Sequence, residues 1–391
     1  MIASAMFFIF SLCGLAAAIS NRAMDPLVTA IARDFAVDPA AAAIVVSAYA
    51  LPYAFCQPVL GALGDFYGKG RMLSVCLWLL VLTFAATVWS PTLGILIAAR
   101  FVGGIAGGGI MPIAMAMVGD RAAPNERQQK IGAYVSFSLL GWIGAAGLAG
   151  ILATYISWRA IFFIALLLAL AAAVLVSIYV REPPREQKRM TLGDAVAGYK
   201  KIFANPRALI CYGAVLIEGI TLYGTLPWIS PLIEQRGRGG TWEAGMIVMA
   251  FAGGAFLFTS TVKYWLRLFS RYRLMTLGGV LLAVGPLGFM FDLPWLWTLT
   301  FFTICGLGYM MLHNGVQAEV STLAPELRGS AFSMHSCAFF VGQALGPMVF
   351  AAGAGILGPV PVLGLFGVIL FVLGPLTAHL FRSTGPSLGD E

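Results

Sequence analysis

Residues 160–180 read AIFFIALLLALAAAVLVSIYV, and residues 181–201 read REPPREQKRMTLGDAVAGYKK. The first stretch carries no charge over a length that, at 1.5 Å of helical rise per residue, matches the roughly 30 Å of hydrocarbon in a bilayer. The second is the longest polar stretch of the chain, and the abrupt switch marks a helix leaving the membrane into a linker. Working outward, apolar runs broken by charge, Gly or Pro fall at 5–32, 40–60, 72–90, 93–118, 131–153 and 160–180 before the linker. After it they fall at 207–232, 244–264, 274–291, 294–321, 331–352 and 361–381. The pattern predicts an all-α membrane protein of twelve transmembrane helices in two six-helix bundles, 1–180 and 207–391, joined by a cytoplasmic linker at 181–206. Of the 391 residues 60% are hydrophobic and 10% charged; soluble domains carry about 25% charge, so a soluble enzyme is excluded.

The net charge of +7 invites a nucleic-acid reading, but the basic residues sit in short loops between apolar runs, where topology and lipid explain them. No nucleic-acid partner is expected. Eighteen of the 24 Lys and Arg fall on one side of the membrane, at 69–71, 121–130, 181–207, 263–273, 328 and 382. Four fall on the other (Arg33, Arg159, Arg236, Arg238), and Arg22 and Arg100 lie within spans. The positive-inside rule then places both termini in the cytoplasm. The opening MIASAMFFIF lacks a basic segment and its apolar run continues for a full span, so it reads as a first helix and not a cleaved signal. The six cysteines lie inside apolar runs without a Cys-x-x-Cys pair, which indicates neither a disulfide framework nor a metal site. No Walker loop or His-Glu-x-x-His is present, and GAGILG at 353–358 lacks the strand and acidic residue of a dinucleotide site. No cofactor is expected beyond the proton as coupling ion.

The halves are repeats. A shift of 201–202 residues lays PLVTAI (from Pro26) on PWISPL (from Pro227), SAYA (from Ser47) on MAFA (from Met249), and RMLSV (from Arg71) on RLMTL (from Arg273). It also lays Gly104 on Gly306 and Gly141 on Gly342. Parallel repeats of this kind imply a pseudo-two-fold axis along the membrane normal with a cavity between the halves.

The turn between spans two and three reads GALGDFYGKGR (61–71), and here the sequence resembles the major facilitator superfamily, whose loop runs Gly-x-Leu-Ala-Asp-Arg-x-Gly-Arg-Lys. Gly61, Leu63, Asp65, Gly68 and Lys69 are in register; Phe66 and Gly70 replace basic residues. The resemblance implies that Asp65 helps latch the cytoplasmic ends of the two halves, with Arg71 a substitute for the missing cations. Span four carries ARFVGGIAGGG, similar to the family's Arg-x-x-x-Gly motif through Arg100 and Gly104, and span five ends in SWRAIF (157–162). The antiporter motif of span five is partial, with Ala145 and Ala146 where Gly-Pro is expected. The resemblance covers the whole chain and looks closest to the twelve-helix proton-coupled efflux branch of bacteria. It implies rocker-switch alternating access in the inner membrane, with a small-molecule substrate, lipid and protons as partners and a monomeric state.

An ionisable residue inside a span costs about 2.5–3.5 kcal/mol on insertion scales, so each must be paired, hydrated or functional. Asp25 and Arg100 lie roughly 14 Å and 11 Å from the outer ends of spans one and four, and this similar depth suggests an Asp25–Arg100 ion pair. Arg22, one turn from Asp25, competes for it or receives an anionic substrate beside Asn21. Glu218, mid-way along span seven, has no basic residue within a turn, which suits a group that loads and releases protons. His313 of span ten, with Asn314 and Gln317, is a second proton candidate; Glu319 and His335 are placed near enough to the ends to be solvated, without a role. Tyr49, Tyr53, Gln57, Trp142, Tyr223 and Gln343 are the expected walls of a mostly apolar substrate cavity. The glycines of spans four and five are expected to let helices pack closely in lipid. The reading is proton-coupled export of a small organic solute; uptake or exchange of an organic anion is the alternative, and a membrane enzyme or sensor a further one.

Overall fold

The computed structural model describes residues 2–122, 126–180, 192–324 and 327–384. Among them no strand occurs, and every apolar run is helical. The first span is α1 (Ile2–Arg22), a 3-10 turn (Asp25–Leu27) and α2 (Val28–Asp34); α3 (Pro39–Tyr67), α4 (Lys69–Val88), α5 (Leu93–Arg121), α6 (Arg127–Tyr155) and α7 (Arg159–Tyr179) follow. A short helix, α8 (Leu192–Phe203), lies within the expected linker, whose residues 181–191 are outside the described set. The seventh span is α9 (Pro206–Glu218), a π segment (Gly219–Tyr223), a 3-10 turn (Leu226–Trp228) and α10 (Ile229–Gln235). Then come α11 (Thr241–Leu268), α12 (Arg271–Phe289), α13 (Trp295–Leu323), α14 (Arg328–Leu357) and α15 (Pro359–Ser383). Eleven stretches of the described residues are long and apolar enough to cross a bilayer, and the remaining span is the 29-residue α6.

The helices start where local chemistry dictates. Asp38 and Asn205 accept the amide hydrogens of Ala40 and Arg207, each with proline at the first helical position, and Thr92 caps Ile95. Gly68, at φ +103°, makes the tight turn from α3 into α4.

Spans one and seven, which read as unbroken in the sequence, are each interrupted at corresponding places. Pro26 and Pro227 occupy the second position of the two 3-10 turns, and each turn leads into a seven-residue helix. Proline has no N–H to give and its ring clashes one turn back, which weakens the α-helix at these places, although α3 and α5 run on through Pro52, Pro58 and Pro112. Around the π segment the Thr221 and Thr225 hydroxyls bond back to the carbonyls of Ile217 (2.7 Å) and Thr221 (2.9 Å), which helps satisfy the disturbed backbone.

Two compact units form, Met1–Arg189 with Gly240–Met249, and Met190–Gly239 with Ala250–Glu391. In the first, α4 packs on α5 and α7, and α1 on α6; in the second, α12 packs on α13 and α15, and α9 with the π segment on α14. The repeat persists at single residues. Gly104 lies against the backbone carbonyl of Tyr49 and Gly306 against that of Phe251, both partners being displaced by 202. Gly141 lies on Leu15 and Ala18, and Gly342 on Leu216 and Gly219, displaced by 201. A side chain at any of these glycines would collide with the facing helix, as close packing in lipid requires. Gly144, by contrast, faces open space.

Candidate functional site

In the second unit the break in span seven sets the site. Glu218 is the last residue of α9, directly before the π segment, and is buried. His313, on α13, places Nδ1 2.6 Å from Glu218 Oε2. The expectation that Glu218 stands without a basic partner is therefore corrected: the partner comes from another helix, 95 residues away in sequence. This separation is that of a short, strong hydrogen bond between Oε2 and Nδ1. The His313 ring also packs 5.0 Å from Tyr309, 5.1 Å from Phe339 and 5.1 Å from His335. Tyr223 meets Phe251, Tyr309 and Phe339 edge-on. Glu218 Oε1, His335 Nε2 and Gln343 Oε1 are buried with no hydrogen-bond partner among the described residues. Asn314 and Gln317 are half-buried on α13, and no hydrogen bond joins either to His313.

Glu319 and His335, expected to be solvated, are 0% and 2% exposed. Counting residues from the span ends located their depth and missed what surrounds them. Glu319 accepts hydrogen bonds from Arg207 Nη1 (3.0 Å), Arg271 Nη1 (3.2 Å) and the Tyr272 hydroxyl (3.3 Å). Arg207 also donates to the Phe381 carbonyl and to Thr384 Oγ1, both at 3.2 Å, so one carboxylate ties α9, α12, α13 and the end of α15. In the first unit Lys69, 202 residues before Arg271, pairs with Asp120 at 2.8 Å. Each half thus closes the same end with an ion pair from the start of its third span to the end of its fourth. Of the motif residues named for the latch, Gly61 and the Asp65 side chain lie outside the described residues, and Arg71 is exposed.

In the first unit the expected Asp25–Arg100 pair does not form. Asp25, buried at the 3-10 turn, has Oδ2 3.5 Å from Arg22 Nη1, three residues away on the same span. Arg100 instead hydrogen-bonds Ser20 Oγ at 3.4 Å and lies 4.1 Å over the Tyr49 ring, which stacks on Tyr53. Equal depth was not enough, because Arg22, three residues from Asp25 on the same span, is the nearer cation. Arg22 itself lies 5.0 Å over the Trp142 ring. Both amide atoms of Asn21 and the Trp142 Nε1 are buried without hydrogen-bond partners among the described residues. Gln57 is half-buried on α3, one turn beyond Tyr53.

Buried carboxylates at broken membrane helices, in a six-plus-six repeat, are features found in solute carriers. Residues 10–347 and 243–390 match the family model of the Major Facilitator Superfamily. The chain belongs to this superfamily. Multidrug resistance protein 1 of Bacillus subtilis (strain 168) is 25% identical over 333 residues, 83% of each chain. The bacillibactin exporter of the same organism is 22% identical over 352 residues, 85% of this chain and 86% of that one. Among solved structures, a bacterial homologue of the human lysosomal transporter Spinster superposes with a TM-score of 0.75 at 15% identity, covering 99% of both chains. The nucleoside transporter NupG does so with 0.78 at 13% identity, covering 97% of this chain and 100% of that one. The protein is a multi-pass membrane transporter with exporters among its relatives, and the reading as a membrane enzyme is set aside.

Proposed function

We propose that this transporter exports a small organic compound in exchange for protons, by rocker-switch alternating access in a bacterial inner membrane, with both termini cytoplasmic. The observation that carries the proposal is the buried 2.6 Å contact of Glu218 with His313. With one proton shared, the pair is a strong hydrogen bond joining α9 to α13. A second proton leaves a neutral carboxylic acid facing an imidazolium, a weaker bond, so proton load changes how firmly the two helices hold together. Substrate anchors are sought in the first unit, where the Asn21 amide and the Trp142 indole N–H have no hydrogen-bond partner among the described residues. The Arg22–Asp25 ion pair already answers the charge that prompted the organic-anion alternative. The working form is a monomer in lipid, without a cofactor and without nucleic acid.

Thermal unfolding with ethidium, arabinose and benzoate at acid and alkaline pH identifies a probe, because a ligand at 100 times its dissociation constant stabilises by about 2.7 kcal/mol. The stabilising compound is then followed into protein-loaded vesicles with an acidic interior. The wild type accumulates it uphill; Glu218→Gln exchanges it without accumulation. Uphill accumulation by Glu218→Gln would overturn the assignment of the proton carrier. Stabilisation by benzoate alone, lost in Arg22→Ala, would favour the anion reading.

A further inference from the structure

His335 is a buried base with an unanswered nitrogen. Its Nε2 has no hydrogen-bond partner among the described residues, although such a group in an apolar interior is normally satisfied. Its ring stands 5.1 Å from that of His313, at 68°. The two histidines and Glu218 also form a ladder of depth. His335 is seven residues into α14, roughly 10 Å of helix; His313 is ten residues before the end of α13, roughly 15 Å; Glu218 is twelve residues into α9, roughly 18 Å. All three distances are measured from the same end of the second unit, the one closed by Arg207, Arg271 and Glu319.

We propose that His335 is the cytoplasmic proton port of the transporter, through which the His313–Glu218 pair discharges during export and is loaded, by the steps below, when pH falls on that side. The inference rests on the reading of that pair as the proton carrier. A proton taken up on one ring nitrogen of His335 makes an imidazolium, and the proton on the other nitrogen leaves for His313 Nε2. His313 then releases its Nδ1 proton to Glu218 Oε2, so each imidazole ends neutral and one proton has moved inwards. A small ring rotation or one bridging water closes the step between the two imidazoles. Tyr309 flanks His313, and Tyr212 of α9 spends its hydroxyl hydrogen on the Ala331 carbonyl (3.3 Å), holding the start of α14 in place. Among the described residues the elements packed on α14 also carry Tyr199, Lys200 and Lys201 on α8, Cys211 on α9, and His379 and Arg382 on α15, with Arg382 lying over Tyr272. At this end of the unit Arg207 and Arg271 are each ion-paired with Glu319, which commits that carboxylate to the two arginines.

The test follows protonation of Glu218 directly, by infrared absorption of its carboxyl group after a rapid pH drop on the full chain in lipid vesicles. Loss of the band in Glu218→Gln assigns it. His335→Phe keeps an aromatic ring beside His313 and Phe332, and His335→Gln keeps a polar one; both are expected to slow the appearance of the band by roughly 100-fold, the usual worth of a positioned proton donor. The final amplitude stays that of the wild type, and free imidazole restores the rate in His335→Ala. Wild-type rates in both His335→Phe and His335→Gln would overturn the relay and leave the proton carrier standing. A wild-type protein in which no Glu218 band appears at any pH would overturn both.

Discussion

Glu319 is the residue whose removal most directly tests how the second unit is held. Its carboxylate is fully buried, and it accepts from Arg207, Arg271 and Tyr272 on two other helices. Glu319→Leu removes the carboxylate that faces the Arg207 side chain, 11% exposed, whose guanidinium also donates to the neutral Phe381 carbonyl and Thr384 Oγ1. Breaking a buried ion pair from one side costs about 3–5 kcal/mol, because the remaining charge stays in a poor solvent. The Arg271 side chain is 34% exposed, so its share is that of a surface pair, about 1 kcal/mol or less. Glu319→Leu is therefore expected to lose about 3–4 kcal/mol, Arg271→Leu about 1 kcal/mol or less, and Arg207→Met with Glu319→Leu to recover part of the loss. Reversible unfolding in mixed micelles, run as a double-mutant cycle, measures all three. A loss below about 1 kcal/mol for Glu319→Leu, or a coupling to Arg271 larger than that to Arg207, would refute the reasoning.

Gly104→Ala and Gly306→Ala, whose new methyl groups meet backbone carbonyls of α3 and α11, are each expected to cost about 1–3 kcal/mol in the same assay. Gly144→Ala, facing open space, stays within about 0.5 kcal/mol of wild type. Lys69→Ala removes the partly exposed pair with Asp120, so its effect on unfolding is about 1 kcal/mol or less and shrinks as salt is raised. The hydrogen bond from Arg238 holds the Asp292 carboxyl below the usual carboxylate range. Any stability from that pair is complete above the ordinary carboxylate pKa and is lost as pH falls through the lowered one. Because both groups are exposed, unfolding midpoints of wild type and Arg238→Ala are expected to coincide at physiological salt and to differ only at low salt, above that pH.

Several features were present in the sequence and needed only a better reading. Pro26 and Pro227 are visible at corresponding positions, yet their apolar surroundings masked the breaks found beside them. The 201–202 offset that aligned Gly104 with Gly306 also aligned Tyr49 with Phe251, and these are the residues the two glycines touch. Asp25 with Arg22 is a contact at three-residue spacing, which the sequence offered as the competitor of the Asp25–Arg100 pair.

The sequence by itself determined the membrane class, the twelve spans, their division into two repeats, and which polar residues lie deep in apolar runs. These follow from hydropathy and length, which are local and add along the chain. Only the tertiary structure decided that Glu218 meets His313, that His335 stands beside them, that Glu319 is wrapped by two arginines, and that Arg100 turns to Tyr49 instead of Asp25. In a soluble protein the apolar stripe of a helix tells which face looks inward. In lipid both faces are apolar, so the rotation of each helix about its axis, and with it every partner of a buried charge, is set by packing of small residues against neighbouring backbones.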